Sequence, residues 1–180
     1  MANLTGDDFG GNVVLSRAGG ATANLVGVTA AKTYTTQNIT YVVGGKLFYK
    51  AAVTTQTAPT TDVVTTAAFK PIVANQGCTY VWTLDASGNF GLAQGPIPVS
   101  PTTTGTQTNL DASGNFTAPP QFPFLPDTLT AVSYFVVKAG STYVTTGGFI
   151  PGVSDNWTGA TGLTAAQVDV MALPAFPQVS

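Results

Sequence analysis

An all-β fold is what this sequence predicts, on three observations. Thirty of its 180 residues are threonine, and Val, Tyr and Phe are plentiful; these β-branched and aromatic types fit a half-buried pleated surface. Helix formers are scarce, and glutamate is absent altogether. Twenty glycines and twelve prolines interrupt the chain so often that no window of useful length holds an i, i+3, i+4, i+7 apolar pattern. The expected architecture is a β-sandwich of jelly-roll type with an extended N-terminal arm. The arm takes residues 1–30 and a single sandwich domain takes residues 31–180. A chain of this length buries a core without disulfide or metal staples.

The elements follow in order. Residues 1–30 are rich in Gly, Ala and Asn, and Gly10-Gly11 and Gly19-Gly20 interrupt any strand. This reads as an arm with short strand pieces such as Val13-Val14-Leu15, either disordered or ordered by lying on a partner. Residues 33–53 hold the strongest hairpin. Ile39, Tyr41 and Val43 alternate, Gly44-Gly45 supplies the positive φ values of a two-residue turn, and the return strand has Leu47, Tyr49 and Ala51 in alternation. After a Thr-rich connection over 54–66 come Ala67–Ile72 and the strand Cys78–Leu84, with Tyr80 and Trp82 on one face.

An internal repeat then appears. Leu84-Asp85-Ala86-Ser87-Gly88-Asn89-Phe90 recurs as Leu110-Asp111-Ala112-Ser113-Gly114-Asn115-Phe116. Both copies read as hairpin tips: Asp accepts backbone N–H bonds at the turn start, Gly takes the left-handed position, and Leu and Phe re-enter a sheet. In the segment 117–130, with its four prolines, Phe122, Phe124 and Leu125 are expected to pin the chain to the core. Ala131–Lys138 and Ser141–Thr146 read as another hairpin, and Val168–Leu173 as the last strand. Thr161–Val170 is the clearest helix candidate, with Thr164 as cap, although a strand is favoured there too.

Charge is the unusual feature. Only 8% of residues are Asp, Glu, Lys or Arg, against about 25% in an average soluble domain. The absence of histidine excludes Ser-His-Asp and Cys-His nucleophile pairs and imidazole metal sites. A single cysteine, Cys78, excludes an intramolecular disulfide framework and multi-Cys metal centres. A net charge of −2 with scattered lysines gives no electrostatic footprint for nucleic acid. Mean hydropathy is +0.24, yet no apolar stretch reaches the ~18 residues of a spanning helix, so no membrane partner is expected. The first residues, MANLTGDDFGG, carry two acids and no cationic or apolar leader region, so synthesis and retention in a cytoplasm are expected.

Few residues invite chemistry. The Asp-Ala-Ser-Gly-Asn repeats suggest a calcium loop, but glycine comes one place early and no glutamate is available to complete it. They also suggest Asp-Thr/Ser-Gly proteases, with the spacing wrong by one residue. An aspartate-based hydrolase would pair Asp85 with Asp111 or Asp127, roughly 5–9.5 Å apart for glycoside chemistry. Cys78, with no basic residue nearby, reads as a buried inert thiol. Trp82, Trp157 and the six tyrosines could form a sugar platform but fit a core better. Asn-x-Thr occurs at Asn3, Asn38, Asn115 and Asn156, as chance allows in so Thr-rich a chain. No catalytic, cofactor-binding or metal-binding residue is therefore assigned.

So few charges leave little to keep surfaces apart, and a homo-oligomer, with a trimer favoured, is expected. The candidate partner-binding residues lie in the arm: Asp7, Asp8, Phe9, Val13, Val14, Leu15 and Arg17. The run Ile39–Ala51, the Pro59-Thr60-Thr61-Asp62 and Ala67-Ala68-Phe69 segments and the Asp-Ala-Ser-Gly-Asn turns resemble small structural proteins of tailed bacteriophages. So do Ala118–Pro123 and Asp169–Pro174. The resemblance implies a capsid decoration (cement) protein, made in the host cytoplasm and carried on the virion, that binds the outer surface of the major capsid protein and reinforces it. A head-fibre, tail or carbohydrate- or receptor-binding module is the alternative it leaves open.

Overall fold

The computed structural model describes residues 12–18, 26–28, 32–97, 108–153, 157 and 160–169. Among them the strands are β1 Val13–Ala18, β2 Val26–Val28, β3 Thr33–Thr36, β4 Asn38–Val43, β5 Lys46–Lys50, β6 Gln56–Thr57, β7 Gln76–Asp85, β8 Phe90–Gln94, β9 Leu129–Ala139 and β10 Leu163–Asp169. No helix occurs among the described residues, so the chain is all-β. Every pairing is antiparallel, and the strands make three open sheets: β1-β4-β5, β10-β9-β7-β8 and β2-β3-β6.

The expected Gly-Gly hairpin is β4–β5. Gly44 and Gly45 adopt φ of 55° and 74°, the pair of positive values a type I′ turn demands. The strand that precedes the turn is broken at Gln37, and the break sends β3 and β4 into different sheets. The corner is held by the Thr36 N–H donating to the Val53 carbonyl at 2.8 Å and the Ala52 N–H donating to Asn38 Oδ1 at 2.7 Å.

β7 is the centre of the molecule. From Gln76 to Leu84 every residue is buried, so both faces of this strand are covered. Cys78, Tyr80, Trp82 and Leu84 enter one core with residues of all three sheets, including Val14, Tyr41, Tyr34 and Phe135. Tyr80 meets Phe69, Phe149 and Trp157 edge-on, and Tyr34 tilts against Trp82 at 4.8 Å between centroids. On the other face Thr79 donates to the Gln121 carbonyl at 2.6 Å, which ties down the proline-rich segment. The expectation that Phe122, Phe124 and Leu125 reach the core is corrected here. Phe122 lies edge-on to Tyr134 at 4.9 Å, Leu125 is half-buried, and Phe124 is 84% exposed. The aromatic core on the opposite face is already filled, so this segment covers the threonine face and anchors through its backbone.

One further expectation changes. Ser141–Thr146 is not a strand: the Tyr143 N–H bonds back to the Gly140 carbonyl at 3.1 Å and the Tyr143 side chain is buried, which breaks the alternation. Gly162, with φ of 78°, fits against this turn so tightly that a Cβ there would meet the Tyr143 nitrogen at 2.5 Å. The close approach brings in β10 as the edge partner of β9, paired from Leu163↔Ala139 to Asp169↔Ser133. The strand favoured over the one-turn helix in this segment is what forms, as β10 over Leu163–Asp169. A seven-residue ladder on an available strand edge outweighs one capped helical turn. Of the expected last strand Val168–Leu173, Val168 and Asp169 end β10, and residues 170–173 lie outside the described residues. Ala67–Ile72 makes only isolated bridges, at Ala68 and Ile72.

Within residues 1–30, β1 and β2 pair with β4 and β3 of the same chain. Asn12 fixes the start of β1. Its Nδ2 donates to the carbonyls of Asp127 at 2.7 Å and Leu129 at 2.6 Å, and its Oδ1 accepts the Gly44 N–H at 2.9 Å. One side chain thus joins the hairpin turn to the start of β9. Replacing it, Asn12→Ala, should lower unfolding free energy by about 1–3 kcal/mol through three lost bonds, read as a lower urea midpoint with an unchanged slope. An unchanged midpoint would show that the clasp contributes nothing.

Candidate interaction surface

The repeated turns have the same local chemistry. In the first, Asp85 Oδ1 accepts the Ser87 and Asn89 N–H groups, each at 2.8 Å, and Gly88 sits at φ 76°. In the second, Asp111 Oδ1 accepts the Ser113 and Asn115 N–H groups, each at 2.8 Å, and Gly114 sits at φ 77°. Leu84 pairs with Phe90 at the β7–β8 tip, and Leu110 bridges Phe116 in isolation. The two tips stand at opposite ends of β7. Asp85 ends the strand, whereas Leu110 donates to the carbonyl of Asn75 at its beginning. Asn109 holds the second turn there, since its side-chain amide both donates to and accepts from the Gly77 backbone at 2.8 Å. Ten residues of strand separate the tips by about 30 Å, so Asp85 and Asp111 form no carboxylate couple. Asp127 is exposed, in the turn just before β9. Asp85 has its carboxylate committed to its own turn, Asn89 Nδ2 included at 2.9 Å.

The other candidates for chemistry lie inside. Cys78 is buried, and burial pushes its thiol up to about 12, far from a nucleophile. Trp82 and Trp157 are fully buried in the aromatic core and cannot offer a face to a sugar. Of the tyrosines, Tyr34, Tyr41, Tyr80 and Tyr143 are buried as well. Among the described residues no three of His, Cys, Asp or Glu converge, and no helix is long and apolar enough to cross a membrane.

A shallow cleft of about 520 Å³ opens between the 62–70 segment, the end of β8 and Phe124. Its polar floor is internally satisfied. Asp62 accepts the N–H groups of Val64 at 2.7 Å, Thr65 at 3.0 Å and Gln94 at 3.0 Å. Gln94 in turn donates to the Tyr80 hydroxyl at 2.9 Å and the Lys70 carbonyl at 2.7 Å. These contacts hold the 62–66 turn over the edge of β8 and engage the Asp62 carboxylate and the Gln94 amide within the chain.

Among the described residues one sheet face is open to solvent. In β1-β4-β5 the register aligns Val13, Val42 and Leu47 in one row across the three strands, and Thr40 with Tyr49 in another. Val14, Tyr41 and Phe48 form the alternate row and turn inward, Val14 and Tyr41 being buried and Phe48 packed against the core. Leu47 and Tyr49 are 65% and 64% exposed, and Val13 and Leu15 are exposed on β1, across β4 from them. A contiguous apolar patch of this kind marks an interaction site more often than scattered apolar residues do. Of the expected partner-binding residues, Val13 falls on this face, Leu15 is exposed at the bulge of β1, and Val14 enters the core. Asp7, Asp8, Phe9 and the side chain of Arg17 lie outside the described residues. Leu47 and Tyr49 are additions, and the hairpin register carries their signal. A two-residue turn that pairs Val43 with Lys46 must place Phe48, not Leu47 or Tyr49, beside the core residue Tyr41.

The second turn also sets a pH dependence. The Asn115 backbone N–H, helped by the Ser113 backbone, the Asn115 side chain and the charge of Lys138, holds the Asp111 carboxyl below its ordinary value. The folded chain therefore favours the ionised form more than the unfolded chain does. The turn's contribution to stability is present at neutral pH and is lost as pH falls through the lowered folded value. Carboxyl-resolved NMR titration should give Asp111 a midpoint below 3.8, the ordinary value; a midpoint at or above it would contradict the turn. Comparison of the chain with known protein families, with curated proteins and with solved structures finds no match in any of the three.

Proposed function

We propose that this chain is a structural virion protein, a capsid decoration or cement protein that binds the outer surface of a phage shell and reinforces it without catalysis. The observation that carries the reading is the apolar outer face of β1-β4-β5, with Val13, Leu15, Leu47 and Tyr49 exposed, on a chain with only 8% charged residues. Contacts built from such a surface are insensitive to salt, because few ion pairs are available to screen. In this reading the sheets form a sandwich of jelly-roll type, three copies assemble about a local symmetry axis, and the residues before β1 act as an arm on neighbouring capsid subunits. Each arm repays the entropy of its ordering through its own contacts, and several arms on one oligomer gain avidity. The burial of both tryptophans argues against the carbohydrate-platform alternative.

Truncation must respect β1. Because Asn12 and Val14 belong to the folded unit, removal of residues 1–11 is the change that tests the arm and spares the strand. The full chain should co-sediment with purified phage heads in a fixed copy ratio to the major shell protein, and the truncated chain should remain folded and bind at least about tenfold more weakly. A full chain that stays in the soluble fraction at every head concentration would overturn the assignment. Undiminished binding by the truncated chain would remove the arm from it.

A further inference from the structure

Hairpin geometry decides which backbone groups of β5 face outward. A two-residue turn closes on a hydrogen-bonded pair, here Val43 and Lys46, and such pairs alternate along an antiparallel ladder. Lys46, Phe48 and Lys50 therefore direct their N–H and C=O groups at β4, whereas Leu47 and Tyr49 direct theirs away. β5 ends the order of its sheet, so among the described residues no strand takes up those four groups. The side chains of the same two residues rise from the outer face, more than half exposed. An edge that offers free backbone groups beside free apolar side chains has the chemistry of a strand acceptor.

Charge selects the occupant. The strands β1, β4 and β5 contain Arg17, Lys46 and Lys50, three of the six cationic residues of the chain, and none of its eight aspartates. A second copy pairing antiparallel through β5 and centred on Phe48 would set Lys46 against Lys50 twice. Like charges directly opposite disfavour that pairing. An incoming strand with acids at the two outer positions reverses the sign of both contacts. Lysines on an edge also guard against aggregation, but a guard alone gives no reason for Leu47 and Tyr49 to be apolar and outward.

We propose that β5 is the acceptor edge for an extended segment of another protein whose sequence reads acid–apolar–any–apolar–acid. The segment adds as a fourth strand beyond β5. Its backbone bonds to Leu47 and Tyr49, its apolar residues lie beside those two side chains, and its acids meet Lys46 and Lys50. The assignment does not depend on the virion reading; under that reading the segment belongs to the shell.

Fluorescence anisotropy on the full chain tests it, with labelled peptides Gly-Asp-Leu-Thr-Val-Asp-Gly and Gly-Lys-Leu-Thr-Val-Lys-Gly as probes. The acidic peptide should bind at least about tenfold more tightly than the basic one, and the double variant Lys46→Glu/Lys50→Glu should reverse that order. Tyr49→Pro removes one outward N–H without touching a bond to β4, so it should weaken the acidic peptide at least about tenfold. Circular dichroism and urea unfolding report whether that variant is folded, and the charge-reversal pair decides the matter if it is not. Equal binding of the two peptides, no binding of either at millimolar concentration, or full binding by a folded Tyr49→Pro chain would each overturn the proposal. Uptake by phosphatidylserine vesicles that depends on Lys46 and Lys50, with no peptide binding, would overturn it by assigning the surface to a lipid.

Discussion

The structure depends on the burial of β7 from both sides. An antiparallel strand usually keeps one face in water, and this one keeps neither. Its Cys78-Tyr80-Trp82-Leu84 face organises the aromatic core, and its Thr79-Val81-Thr83 face must be covered by something that is not a second strand layer. The proline-rich segment does this on one side and the 62–66 turn on the other. Glycine makes both approaches possible: a Cβ on Gly91 would meet the Val63 side chain at 2.5 Å, and a Cβ on Gly95 would meet the Gln121 carbonyl at 2.5 Å. A strand sealed this way pairs along its length with β9 and through Tyr80–Leu84 with β8, and the two repeated turns stand at its ends.

That arrangement separates interior from surface in chemical terms. Four groups that could carry reactivity are held by packing or by their own turns: the thiol of Cys78 by burial, the Asp62 carboxylate by three backbone N–H groups, and Asp85 and Asp111 by their Asx-type turns. The β4–β5 hairpin differs. It contributes one face to the core and leaves the other, with its apolar side chains and its outward backbone groups, without a covering layer among the described residues. In the proposed reading, recognition by this molecule is a property of a sheet surface and not of a pocket.

Much of this was legible in the amino-acid order, and the parts that were not have identifiable physical causes. Gly44-Gly45 and the twin Asp-Ala-Ser-Gly-Asn segments dictate their own geometry within four or five residues, so local reasoning reaches them. Trp82 and Cys78 follow from the apolar run that contains them. Alternation alone does not say which face of the return strand turns inward; the register set by the turn does, placing Phe48 beside Tyr41 and leaving Leu47 and Tyr49 outside. The fate of Ser141–Thr146 could not be read locally, since it depends on Gly162 packing against Gly140 and Tyr143 from some twenty residues away. Phe122 and Phe124 were misjudged for a related reason. Apolar type predicts burial only when the core has room, and the room was already taken by Tyr80, Phe135 and Trp157.

Residue-resolved amide hydrogen exchange on the isolated chain tests most directly whether the hairpin edge is open. The account predicts near-unprotected exchange at Leu47 and Tyr49, measurable protection at Lys46, Phe48 and Lys50, and the slowest exchange of all in β7 between Cys78 and Leu84. Protection at Leu47 and Tyr49 equal to that at Phe48 would contradict it, because the edge would then already be occupied.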